Sequence, residues 1–125
     1  MEYATTQIQN VTLIHIKGRI DHKTARDFES ALKPHLDKCM LGETKKILVD
    51  LGGVDFMTSA GLRVLMNGAK ACGRHKGEIA VAALKPTLQE VFRISRFDLL
   101  LKIFPSVPSA LEHMSPAAAT DGKSA

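Results

Sequence analysis

Thr58 and Ser59 stand side by side where an aliphatic run, Lys46-Ile-Leu-Val-Asp-Leu51, gives way to Gly52-Gly53 and then to a pattern of helical period. A strand, a glycine-rich turn and a helix start in that order put Ser59 near the first turn of a helix. That is the carboxyl edge of a sheet, where α/β proteins place their sites. The ordinary work of a hydroxyl there is to cap the helix by accepting a hydrogen bond from a free backbone N–H. Nucleophilic catalysis is the sharper alternative. Ser59-Ala-Gly61 is half of a G-x-S-x-G elbow, but Met57 occupies the place of the first glycine. A triad also needs a histidine and an acid nearby, and His22 is the one loop histidine at this edge. With 125 residues the chain is also short for that fold.

Asp50, at the end of its run, and Lys85-Pro86, after a later one, sketch a phospho-aspartate receiver. That chemistry needs an acidic pair after the first strand to hold magnesium, and the sequence has none there. His15, His22, His35, His75 and His113 are scattered without ligand spacing, so no metal is expected. Without a P-loop no nucleotide cofactor is expected either.

The elements that must position these residues follow from periodicity. Tyr3 to Gln9 and Val11 to Lys17 read as two strands in a tight antiparallel hairpin, the second apolar on both sides. Gly18 to Lys23 reads as a loop. From about Thr24 a helix follows, with Ala25, Phe28, Ala31, Leu32, Leu36 and Cys39 on one stripe. Pro34 falls on its solvent side, where a kink is tolerable. Lys46 to Leu51 is a central strand that Gly52-Gly53 ends. Thr58 or Ser59 then opens a helix to about His75. Its apolar stripe is Leu62, Leu65, Met66, Ala69 and Cys72, and its solvated face is Arg63, Asn67, Lys70 and Arg74.

Glu78 to Leu84 is a buried strand, and Pro86 suits the first turn of a third helix with Leu88, Val91 and Phe92 inward. Leu99 to Phe104 and Pro108 to Met114 complete the order β-β-α-β-α-β-α-β-α. That order predicts an α/β fold: a mixed, mostly parallel sheet of about five strands, an N-terminal antiparallel hairpin and four helices. One domain over residues 3–114 is expected, with residues 115–125, rich in Ala and Ser, as a disordered tail.

Composition narrows the functional class. Net charge is +4, mildly favouring acidic partners. With no Trp, one Tyr and dispersed basic residues, nucleic-acid binding is not expected. Cys39 and Cys72 form no C-x-x-C pair and read as reduced core thiols. The first ten residues are mostly polar and lack the layout of a signal peptide. Tyr3 to Ile16, the longest stretch without Asp, Glu, Lys or Arg, is shorter than the ~20 residues of a membrane helix. A soluble cytoplasmic protein with no membrane partner is expected.

Phe56-Met57-Thr58-Ser59-Ala60-Gly61-Leu62 resembles the phosphorylation loop of STAS-domain anti-sigma factor antagonists, typically Asp-Ser-Ser/Thr-Gly-Leu. Gly18-Arg-Ile-Asp21-His22-Lys-Thr24-Ala25 is similar to that family's Gly-x-x-Asp loop. The order of elements matches from about residue 3 to 114. The resemblance implies a STAS fold and a protein-binding switch that is not an enzyme. Ser59 takes the place of the phosphorylated serine. Thr58 stands where the family has Asp and is the alternative acceptor, and Ala60 replaces the family's second hydroxyl. The resemblance also implies a partner surface of Asp21, His22, Thr24, Thr58, Ser59, Ala60, Gly61 and Arg63. The implied partners are an anti-sigma factor serine kinase with a histidine-kinase-like ATPase fold and a metal-dependent serine phosphatase. The runner-up within the same resemblance is a STAS subunit that serves a transporter ATPase or a signalling scaffold without phosphorylation.

Overall fold

Apolar residues on both sides of Val11–Ile16 and the aliphatic run at Lys46–Leu51 create two strands buried on both faces, and the fold is built on that pair. The computed structural model describes residues 1–42, 46–99 and 101–114; the tail expected at 115–125 lies outside the described residues. The elements are β1 (Glu2–Ile8), β2 (Val11–Ile20), α1 (Ala25–Met40), β3 (Lys46–Met57), α2 (Ser59–Arg74), β4 (Glu78–Ala82), α3 (Pro86–Ile94), a 3-10 turn (Phe97–Leu99), β5 (Lys102–Phe104) and α4 (Val107–Met114). The sheet order is β1-β2-β3-β4-β5. β1 runs antiparallel to β2, and every other neighbouring pair is parallel.

The main core lies on one face of the sheet. Ile14, Ile16, Val49, Leu51, Ile79 and Val81 meet Phe28 and Leu32 of α1, Leu62 and Leu65 of α2, and Leu88 and Phe92 of α3. On the other face Val11, Leu13, Leu48, Ala80 and Ala82 are covered by Ala110, Leu111 and Met114 of α4. Lys46 donates a hydrogen bond to the Met114 carbonyl and so fastens the end of α4 to the start of β3. Pro34 lies within α1 and is exposed, as its phase on the helix requires. Cys39 and Cys72 are free, buried and in contact between α1 and α2. Burial, foremost, together with a hydrogen bond to the Cys39 thiol, pushes the Cys72 thiol up to about 12.

The last strand is shorter than expected, beginning at Lys102 after a 3-10 turn that takes in Leu99; two further differences from the sequence expectation shape the site. Gly52-Gly53 does not end the central strand: β3 runs without a break from Lys46 to Met57. The register with β2 shows why. His15 pairs with Asp50 but Lys17 pairs with Gly53, so β3 carries an extra residue in a bulge. A Cβ at Gly53 would stand 3.1 Å from the Ile16 carbonyl oxygen and 3.2 Å from the Lys17 Cα. Glycine here permits close strand contact instead of a turn. A second irregularity follows, since Gly18 pairs with Val54 and Arg19 with Phe56. Correspondingly, the expected loop from Gly18 starts only at Asp21, because β2 stays paired to Ile20. The pairing of β3 with β4 stops at Asp50–Ala82. Beyond it β2 and β3 continue as a two-stranded ribbon that carries the hydroxyl segment.

Candidate functional site

At the end of this ribbon the two segments singled out in the sequence meet. The Thr58 N–H donates to the Ile20 carbonyl at 2.9 Å, which ties the start of α2 to the end of β2. The turn after Ile20 is closed by its own side chains. The Asp21 carboxylate accepts hydrogen bonds from the Lys23 and Thr24 N–H groups at 2.9 and 3.0 Å. The Thr24 hydroxyl accepts from the Asp21 N–H at 2.8 Å and donates to the Arg19 carbonyl at 2.9 Å. The Thr24 N–H, foremost, holds the Asp21 carboxyl below its ordinary value; burial opposes it, and the Lys23 N–H, the Thr24 hydroxyl and Arg19 add to the lowering. It is therefore ionised at neutral pH. Asp21 and Thr24 are half-buried and His22 is exposed.

The two hydroxyls differ sharply. Thr58 has the extended backbone of a helix N-cap (φ −86, ψ 174), yet its side chain makes no capping hydrogen bond. Its Oγ1 is buried and has no hydrogen-bond partner among the described residues. Ser59, the first residue of α2, is exposed. Of the two hydroxyls expected to cap the helix, Thr58 or Ser59, Thr58 holds the N-cap position without a side-chain cap. The first intrahelical bond runs from the Leu62 N–H to the Thr58 carbonyl at 3.1 Å. The N–H groups of Ser59, Ala60 and Gly61 precede it and have no intrahelical acceptor. Ala60 is half-buried and Gly61 buried, while Arg63 is exposed on the outer face of α2. A Cβ at Gly61 would stand 2.7 Å from both Ile20 Cγ2 and Met57 Cγ, so only glycine lets the first turn of α2 seat against the ribbon.

The sealed hydroxyl makes its own prediction. An unsatisfied buried polar atom is costly, whereas an apolar group of the same shape is not. Thr58→Val should therefore be neutral or stabilising, by up to about 1 kcal/mol, in denaturant unfolding. A clear loss of stability would mean that Oγ1 has a partner after all.

The structure adds neighbours that no motif indicated. The Arg19 guanidinium lies 4.6 Å over the centroid of the Phe56 ring, and its Nε is 3.6 Å from Asp21 Oδ2. Lys85 pairs with Asp55 on the other side of the ribbon. These contacts depend on the bulged register, which no local pattern reveals. Asp50 is not at a strand end, as a receiver would need, but in mid-strand. Its Oδ2 lies 2.7 Å from His15 Nδ1, and its Oδ1 accepts from the Gly52 N–H at 2.9 Å. Both oxygens are therefore engaged, and His15 is a partnered strand residue. No helix among the described residues is long and apolar enough to cross a membrane.

Comparisons with known proteins agree with this geometry. The STAS domain profile matches residues 2–110. A Bordetella bronchiseptica protein provisionally named the anti-sigma factor antagonist BtrV is 35% identical over 105 residues, 84% of each chain. An anti-sigma factor antagonist from Mycobacterium paratuberculosis has the same fold, with a TM-score of 0.80 at 22% identity over 90% of this chain and 92% of that one. So does the Bacillus cell fate determinant SpoIIAA in its phosphorylated form, with a TM-score of 0.69 at 15% identity over 90% of this chain and 99% of that one. The SulP transporter STAS domain of Vibrio cholerae shares the fold too. With the ribbon, the α2 start and the Asp21 turn arranged as described, the chain belongs to the STAS domain family, and its relatives include proteins named as anti-sigma factor antagonists.

Proposed function

We propose that this protein is an anti-sigma factor antagonist whose binding is switched by phosphorylation of Ser59. One observation carries the choice of residue: of two adjacent hydroxyls, Ser59 is exposed in the first turn of α2, whereas Thr58 Oγ1 is sealed from solvent. A kinase can reach only the first. In the unmodified state the edge formed by Asp21, His22, Thr24, Ser59, Ala60 and Arg63 docks a serine-kinase anti-sigma factor with a histidine-kinase-like ATPase fold, and the sigma factor is freed. The partner then transfers the γ-phosphoryl group of its ATP to Ser59 Oγ: the new O–P bond forms, ADP leaves, and the hydroxyl proton passes to a base on the partner. A metal-dependent serine phosphatase reverses the modification. This chain supplies the acceptor and no catalysis. The names of the relatives support the class of partner.

Mapping the phosphate tests the reading. The purified chain is incubated with ATP and lysate of the source cells, and its peptides are analysed by mass spectrometry. A single phosphate on Ser59, absent from Ser59→Ala, is expected. Phosphate on Thr58 would overturn the assignment. No phosphate, with a partner still captured, would favour the transporter or scaffold reading.

A further inference from the structure

The two edges of the sheet are treated differently. β5 is three residues long, starts with Lys102 and is followed by Pro105, so it offers little to an incoming strand. β1 has seven residues, of which six are exposed. It contains no proline and no basic residue, and its register with β2 runs without a bulge from Glu2↔Lys17 to Ile8↔Val11. After Glu2 it lies in the longest uncharged stretch of the sequence, and Tyr3 on it is 55% exposed. Apart from Glu2, the lysine, proline, bulge and short length that usually blunt an edge are missing from it.

The backbone shows what such an edge accepts. The hairpin turn has two residues, Gln9 and Asn10, closed by Ile8 and Val11. The closing pair of a two-residue hairpin exchanges both its backbone hydrogen bonds, and the pattern alternates along the ladder. Glu2, Ala4, Thr6 and Ile8 therefore point their N–H and C=O groups at β2, while Tyr3, Thr5 and Gln7 point theirs outward. That outward set is symmetric about Thr5.

We infer that β1 pairs antiparallel with β1 of a second copy about a twofold axis through Thr5, joining two sheets into one of ten strands. The twofold sets Thr5 against its counterpart and Tyr3 against Gln7 of the other copy. All six outward N–H groups of the two strands then meet all six outward carbonyls. Threonine pairs are favourable across strands. Glu2, the one charge on the strand, falls opposite Ile8, so no like charges meet. A second copy is favoured over an unrelated strand because only self-pairing has this symmetry built in. The Ser59 edge is carried by β2 and β3 whereas the pairing uses only the outward groups of β1, so the inference does not depend on the proposed switch.

Sedimentation or light scattering across micromolar to near-millimolar concentration tests it. The mass should climb from 13.6 kDa towards twice that value. Thr5→Pro removes an outward donor and leaves the β1–β2 ladder untouched, so this variant should stay monomeric with an unchanged circular dichroism spectrum. Thr5→Lys gives the same readout should the proline variant fold poorly. Thr5→Cys should form a disulfide-linked dimer in air, since residues in a hydrogen-bonded antiparallel pair lie about 5.5 Å apart at Cα. A wild-type chain that remains at 13.6 kDa throughout, or Thr5→Pro and Thr5→Lys variants that both dimerise as wild type does, would overturn the inference.

Discussion

Ser59→Glu is expected to weaken capture of the ATPase-fold partner by about a hundredfold, and Ser59→Ala to leave it intact. The size follows from charge. Glutamate places one negative charge at this position, and phosphorylation places about −1.5 to −2 there at pH 7. A partner that docks over the start of α2 must desolvate that charge, and a penalty of ~3 kcal/mol already amounts to a hundredfold in affinity. The fold itself tolerates the charge. Free N–H groups at Ser59, Ala60 and Gly61 and the positive end of the helix face it, and the exposed side chain displaces nothing from the core. Binding titrations with the isolated partner, run beside circular dichroism of each variant, separate the two effects. Equal affinity of wild type, alanine and glutamate forms would remove the switch while leaving the fold unaffected.

The second large effect is structural. Gly61→Ala forces a methyl group to within 2.7 Å of both Ile20 Cγ2 and Met57 Cγ, and both residues are buried. Ile20 is β-branched and stiff, so it cannot swing aside cheaply. Overpacking of this kind costs about 1–3 kcal/mol. The cost falls where α2 meets the ribbon, so displacement of Ser59 and loss of phosphorylation should accompany the drop in Tm. Gly73→Ala is the control in the same helix. Its Cβ would meet nothing within 4 Å, and replacing a helical glycine by alanine should stabilise by about 0.5–1 kcal/mol. Thermal unfolding of the pair is expected to move in opposite directions. Equal stability of Gly61→Ala and wild type would show that the first turn of α2 is not held as described.

The order of strands and helices was readable because each buried face repeats at its own period: two for Val11, Leu13 and Ile14, Ile16, and 3.6 for Leu62, Leu65 and Cys72. What periodicity could not reveal depended on partners distant in the chain. Gly52-Gly53 reads locally as a break, and only the approach of Ile16 and Lys17 makes it a bulge in a continuous strand. Val64 and Gly68 are buried although they lie off the expected stripe of α2, because α2 packs on α1 as well as on the sheet. Met66 and Ala69, placed on that stripe, are only partly buried. Spacing left Thr58 and Ser59 equivalent. The hydrogen bond from the Thr58 N–H to Ile20 sets the phase that turns one hydroxyl inward and leaves the other exposed. The Arg19–Phe56 stack was beyond reach for the same reason as the bulge, since it exists only in the shifted register.

The paired sulfhydryls of Cys39 and Cys72 give the molecule a clock for its own opening. An alkylating reagent attacks the thiolate, which at neutral pH is scarce for Cys72, pushed up to about 12, and both cysteines are buried while α1 and α2 stay together. Labelling must wait until the helices part, so its rate follows the population of the parted state, without an added probe.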